Sequence, residues 1–414
     1  MDLRDFVDTL LRFESTGGAE APAQTWFENR LTEFGFETYV WSADAERLAE
    51  HPSFPDDPEE IDTYSRPSVG GVLEFGDPDA GKTLVLNGHI DVVPADAELW
   101  SHDPFVPQWD EEAGTVSARG AADMKSGLAA CVAAAFDLKQ AVESGDLAID
   151  GRIVVESVVG EEEGGVGAAA AALDNPYPFD RDAALVAEPT ELTAVIATEG
   201  SVMKRLHLTG RTAHAASRWR GVDVLPKFET IREAFFDLEA ERTEQVTHPL
   251  YDYPIPWPIC VGKVEAGSWG SSVAGTLTAE WRLGVAPGET VEEVEAAYEE
   301  RLAEVVADDE WLSEHPPTFE RFSVQFDPAE ISPDEPIVGA LRASLRGAGL
   351  PDEPRGATYG ADSRLYVEAG IPTVVFGPGN IDNAHFPDEE IAWEEVETAR
   401  DVIRETSTAF LRSE

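Results

Sequence analysis

The stretch "GRIVVESVVGEEEGG", residues 151–165, decides the fold. Its uninterrupted run of apolar, β-branched residues reads as a strand buried on both faces, the kind found in parallel or mixed sheets covered by helices. The run stops at Glu161, Glu162 and Glu163, followed at once by glycines. Three like charges on neighbouring residues repel, so something must hold them there. The same form recurs along the chain. "KTLVLNGHIDVVP" (82–94) ends at His89 and Asp91, "AALVAEPT" (183–190) at Glu188, and "GIPTVVFGPGNIDNAHFPDEEI" (370–391) runs to His385. Between them "ARGAADMKSGLAACVAAAFDLKQAV" (118–142) turns through glycine at Asp123 and enters a long apolar helix. Strands alternating with helices give an α/β class, with a mixed, mostly parallel sheet and helices on both faces.

In such sheets ligands bind beyond the carboxyl ends of the strands. Two imidazoles and several carboxylates converging there form a metal site, and His, Asp and Glu without thiolates suit zinc, cobalt or manganese in a hydrolytic centre. The competing explanation is that acidic loops end strands everywhere in so acidic a chain. For Glu188 or Asp123 alone that explanation would be preferred. It does not cover the histidines, since only 8 occur in 414 residues and two stand at these positions.

The acidity itself is extreme. There are 81 Asp plus Glu against 30 Lys plus Arg, a net charge of -51. This disfavours nucleic acid and anionic membranes as partners, and it fits a halophilic source, because at 1 M salt the screening length falls to about 3 Å. A hydrophobic content of 43% is ample for a core. No stretch approaches a membrane span; "SGLAACVAAAF" (126–136) is short and flanked by charge. The first residues lack a signal-peptide pattern, and Cys131 and Cys260 form no spaced motif and read as buried small hydrophobes, so the expected location is the cytoplasm.

Taken in order, "GHIDVVP", "ARGAADMKSG", "GEEEGG", "AEPT" and "NAHFPDEE" resemble the di-zinc amidohydrolases that include acetylornithine deacetylase, succinyl-diaminopimelate desuccinylase, aminoacylase and carboxypeptidase G. The resemblance implies two divalent metal ions, zinc first and cobalt or manganese as alternatives. His89 and Glu188 would bind one, Glu162 and His385 the other, and Asp123 would bridge them. Asp91 would accept the far imidazole hydrogen of His89. Glu161 would be the general base, taking a proton from water and returning it to the leaving amine. Glu163 reads as an ordinary solvated acid. Relatives similarly carry a cis peptide after the residue matching Asp123.

Between about residues 198 and 326 the texture changes to half-exposed alternating strands and amphipathic helices, a small α+β unit inserted into a catalytic domain made of residues 1–197 and 327–414. Family members carry a lid here through which two subunits pair, so a homodimer is expected, with "SVMKRLHLTG" (201–210) as the edge strand. By resemblance His214 would stabilise the oxyanion in the partner's site, and Arg282 would clamp a substrate carboxylate. As an alternative, Arg282 is a strand arginine lying over a neighbour. Ser272 stands where many relatives have a substrate-contacting asparagine. Thr358, Tyr359 and Gly360 would lie near the acyl or side-chain pocket. The implied activity is hydrolysis of an N-acylated amino acid, N-acetylornithine or an analogue. A dipeptidase or carboxypeptidase is the nearest alternative, and a non-catalytic metal-binding protein the alternative of another class. The segment 49–67 reads as a long ordered loop with no assigned role.

Overall fold

The computed structural model describes residues 1–413. Gly151–Val158 is buried along its whole length, as its apolar run requires, and lies inside a nine-stranded sheet. It runs parallel to Lys82–His89, which is parallel to Ala183–Val186, which in turn is parallel to Thr373–Val375. These four strands are the ones that lead into the candidate residues, so a common direction brings their carboxyl ends to one edge. Antiparallel pairings extend the sheet to Pro67–Phe75 and Glu37–Ser42 on one side and to Val195–Thr198 and Ala329–Glu330 on the other, and Arg355–Ala357 pairs in parallel with Val195–Thr198 as the ninth strand. Helices Ser126–Glu143, Trp393–Leu411 and Pro336–Gly347 pack against one another beside the central strands, and Ala21–Glu33 packs on Pro67–Phe75.

A second sheet is wholly antiparallel, in the order Ile259–Ala266, Thr276–Val285, Gly200–Thr209, Thr318–Arg321. It has its own hydrophobic cluster beneath helices Leu225–Gln245 and Val291–Asp308. There the Phe235 ring packs on Trp281 and Tyr298, with centroids 4.9 and 5.2 Å away. Val291–Asp308 starts with a capping box, Thr290 accepting from the Glu293 amide while Glu293 accepts from the Thr290 amide.

Two expectations are corrected here. The strand Gly200–Thr209 is not an edge, since it pairs on both sides; the edges are the short Thr318–Arg321 and Ile259–Ala266, most of whose residues are exposed. Cys131 is buried as expected, but Cys260 is exposed, because it lies on that edge strand. The separation between the two sheets is also not clean in sequence. Residues 250–257 leave the second sheet and pack back on the first: Tyr251 and Trp257 cluster with Ala197, and the Gly356 amide donates to the Leu250 carbonyl.

One close approach fixes the helix that follows Asp123. A Cβ on Gly127 would lie 2.1 Å from the Ala187 carbonyl oxygen, and a Cβ on Gly377 would lie 2.4 Å from the same atom. The backbone leading to Glu188 is thus clasped between two glycines. Backbone cannot swing aside as a side chain can, so Gly127→Ala should cost about 1–3 kcal/mol of stability, measured by denaturant unfolding. A variant as stable as wild type would mean that the helix is free to shift.

Candidate metal centre

The strand ends converge as their shared direction requires. His89, Asp123 and Glu162 each offer an atom within 4.8 Å of the others, and so do His89, Glu161 and Glu188. His89 Nε2 lies 3.1 Å from Asp123 Oδ1 and 3.9 Å from Glu188 Oε1. From the far side His385 Nε2 lies 3.0 Å from Glu162 Oε2 and 3.6 Å from Asp123 Oδ2. Asp123 therefore faces one histidine with each oxygen, the placement a bridging ligand needs. Its peptide to Met124 is cis.

The surroundings of His89 differ in one detail from expectation. Its Nδ1 lies 2.9 Å from the backbone carbonyl of Asp91, whereas the Asp91 carboxylate is 3.7 Å away. That carboxylate accepts instead from the Gly160 amide at 2.8 Å and the Glu162 amide at 3.1 Å. Asp91 thus orients the imidazole through its main chain and the Glu161–Glu162 turn through its side chain.

The electrostatics describe a site crowded with negative charge. Removal from water, then the nearby Glu188 charge, push the Glu161 carboxyl well above its ordinary 4.5. Glu188 is pushed the same way by burial and by Asp123. Burial also raises Glu162, against the opposing hydrogen bond to His385. Burial would lower His89, but its bond to Asp123 and the Glu188 charge outweigh that and hold it well above 6.5. His385 is raised chiefly by its bond to Glu162. Burial works to raise Asp123, but the hydrogen bond from His89 wins and lowers it. Glu188 Oε1 is buried with no hydrogen-bond partner among the described residues. An orphaned carboxylate oxygen, among oxygen and imidazole donors so closely spaced, fits a pair of divalent cations.

Several supporting residues were not legible in the sequence. Glu389 accepts from the Ala122 and Asp123 amides at 2.8 and 3.1 Å and from Arg119 Nη1 at 2.6 Å, while Arg119 Nη2 donates to the His385 carbonyl at 3.3 Å. One buried ion pair so ties the Asp123 turn to the His385 loop. Glu163, read as a solvated acid, is paired with the buried Arg66 at 2.6 Å.

The other expected residues lie outside the cluster. Arg282 is engaged within its own chain: Glu199, itself fully buried, pairs with it at 2.9 Å, and the Pro258 carbonyl accepts from its other nitrogen at 3.1 Å. His214 is exposed in the second sheet's loop region, bridged to Ser272 across the backbone. Tyr359 donates to the Pro189 carbonyl at 3.1 Å, next to Glu188; Gly360 lies against Phe326, and Thr358 is half-buried beside them.

Glu161, Glu162 and Glu188 are raised carboxyls, and His89 and His385 raised imidazoles. Each therefore contributes stability at low pH that is lost as pH rises through its raised value; Asp123, shifted downward, contributes stability that is complete above its ordinary 3.8 and is lost only as pH falls through its lowered value. Metal-stripped protein should accordingly lose thermal stability as pH rises above the ordinary carboxyl value of 4.5 and on past the ordinary imidazole value of 6.5, and its deficit against metal-loaded protein should widen in that direction. A deficit independent of pH would show that these groups do not bind the added metal.

Residues 85–409 match Peptidase family M20/M25/M40. The chain is 28% identical over 395 residues to an N-formyl-4-amino-5-aminomethyl-2-methylpyrimidine deformylase of Bacillus subtilis, covering 90% of this chain and 85% of that one. It is 25% identical over 332 residues to an acetylornithine deacetylase of Vibrio atlanticus, covering 80% and 82%. Among solved structures, an M20 family metallo-carboxypeptidase of Sulfolobus solfataricus superposes with a TM-score of 0.73 over 99% of both chains, at 16% identity. The fold, the five ordered motifs and the matched span agree, and the chain belongs to peptidase family M20/M25/M40, metal-dependent hydrolases of carbon–nitrogen bonds.

Proposed function

We propose that this protein removes a short acyl group from the amine of a small molecule, with N-acetylornithine or a close analogue as first candidate. The observation that carries the reading is the position of Glu161, in the same cluster as His89 and Glu188 but on the same turn as Glu162. Two divalent ions, zinc foremost, would be held by His89, Asp123 and Glu188 and by Asp123, Glu162 and His385, and would supply Lewis acidity and an acidified water. Glu161 takes the proton of the attacking water and returns it to the leaving nitrogen. The two relatives named above each remove a small acyl group according to their names, and the substrate in the deformylase name carries no carboxylate. With Arg282 neutralised by Glu199, a substrate carboxylate is not required here either.

Glu161→Gln should lower kcat by about 10²–10⁴-fold while both metals are retained. It should be assayed on a panel of N-acetylornithine, N-formyl aminopyrimidine and dipeptides. Turnover confined to the dipeptides would replace the deacylase reading by a dipeptidase. Loss of metal along with activity would make Glu161 a ligand, and metal binding without turnover of any amide would leave a non-catalytic protein.

The reading includes a homodimer and an inserted lid at 198–326. Its supports are the unpaired edge of Ile259–Ala266 and the exposed Trp269 and Trp219. The Ala216 amide donates to His214 Nδ1 at 3.1 Å. Nδ1 must then be the acceptor, so the neutral ring carries its hydrogen on Nε2 and offers a donor outward, as an oxyanion partner must. If that donor serves the other subunit, mixing inactive Glu161→Ala with inactive His214→Ala should restore roughly a quarter of wild-type activity, because about half the dimers are mixed and each has one competent site. Verified subunit exchange with no recovery would place His214 in its own chain's site or in none.

A further inference from the structure

The turn that carries Glu161 and Glu162 is unusually free in its backbone. Three of its six residues are glycines with positive φ: Gly160 at 73°, Gly164 at 115° and Gly165 at 79°. The turn is closed by its own backbone, the Gly164 amide donating to the Glu161 carbonyl at 2.9 Å and the Gly165 amide to the Gly160 carbonyl at 2.6 Å, and with glycine at three of its six positions its pose is fixed further by the side chains that grip it. Asp91 takes the Gly160 and Glu162 amides, and Arg364 donates to the Gly164 carbonyl at 2.8 Å. The remaining grip is on Glu163. Arg66 Nη1 lies 2.6 Å from Glu163 Oε2, and its Nε and Nη2 lie 3.0 and 2.5 Å from Glu20 Oε1. Arg66 also donates to the Asp62 carbonyl at 3.2 Å, and a Cβ on Gly160 would be only 3.0 Å from Arg66 Nη2. The guanidinium therefore lies close against the first residue of the turn and is paired with Glu163 at its apex.

We infer that Arg66 is a positioning residue for Glu161 and Glu162, acting through Glu163. The side chain of Arg66 is 2% exposed and that of Glu20 fully buried, so the anchor is rigid even though Glu163 is 53% exposed. Glu20 neutralises the buried charge, and Glu163 brings the pair into the active-site turn. Arg66, Glu162 and Glu163 also line one cavity of about 300 Å³, together with Pro55, Glu60 and Ser323. The turn thus borders open space at Glu162 and Glu163, while Gly164 packs against Val324. This gives the segment 49–67 a role, since it delivers Arg66 to the turn. It also answers why a third glutamate follows two that the site uses.

The inference rests on the proposed role of Glu161, and the test separates the two. Glu163→Ala removes an exposed side chain and should not disturb the fold. It should lower kcat by about 10–100-fold with KM within about twofold, and should speed loss of metal to a chelator. Glu163→Gln, which still accepts a hydrogen bond from Arg66, should fall between Ala and wild type. Arg66→Lys keeps the charge beside Glu20 but has no fork to span two carboxylates, and should match Glu163→Ala; if it does not fold, the Glu163 pair decides. Wild-type kcat and metal release in Glu163→Ala would overturn the inference, as would a change confined to KM. If wild type hydrolyses no amide on the panel yet Glu163→Ala releases metal faster, the substrate reading fails and the positioning role stands.

Discussion

At the carboxyl ends of four parallel strands, Asp123, Glu161, Glu162 and Glu188 share a space from which most water is excluded. Two like charges 4 Å apart repel by about 4 kcal/mol at the effective dielectric near a protein surface, and more in a drier setting. A surface ion pair returns about 0–1 kcal/mol, too little to offset several such repulsions. The cluster therefore exists only with protons or cations inside it. Raised carboxyl values are the proton solution, and a pair of divalent ions is the one that leaves the carboxylates ionised. The same constraint explains why Glu161 suits a base. Its neighbours raise its proton affinity, while Glu162 on the same turn is turned toward His385.

Around the donors stand two arginines, each paired with its own acid. Arg119 with Glu389 joins the Asp123 turn to the His385 loop, and Arg66 with Glu20 reaches the Glu161 turn. Buried pairs of this kind contribute little net stability, because desolvation offsets their attraction. Their value here is directional. A guanidinium fork and a carboxylate bonded to two amides leave the supported loops few alternative poses, which matters where a cluster of like charges would otherwise push them apart.

The sheet and the convergence of the candidate donors were legible because both signals are local. A buried parallel strand announces itself by its apolar run, and His89, Glu161, Glu162 and Glu188 follow within a few residues of such runs. The supporting pairs were not legible. Arg119 and Glu389 lie 270 residues apart and Arg66 and Glu20 lie 46 apart, and in a chain with 81 acidic residues no single glutamate stands out as a partner. The edge of the second sheet was misassigned for a different reason. Alternation in Gly200–Thr209 tells which side chains face the core, and an edge strand and an interior strand of a half-exposed sheet alternate alike. Cys260 was misjudged with it.

Arg282 shows how the fold bears on specificity. Its partner Glu199 sits between the last residue of Val195–Thr198 and the first of Gly200–Thr209, where the chain crosses from one sheet to the other. Removal from water raises the Glu199 carboxyl to about 7, against the attraction of Arg282. A substrate carboxylate recruiting Arg282 would have to displace Glu199 and leave it buried without its cation, or protonate it. Either course takes back much of what a bidentate contact provides. The pair is therefore better suited to fixing the crossing between the sheets than to reading substrate. Nearer the candidate donors, Tyr359 is held against the Pro189 carbonyl, next to Glu188.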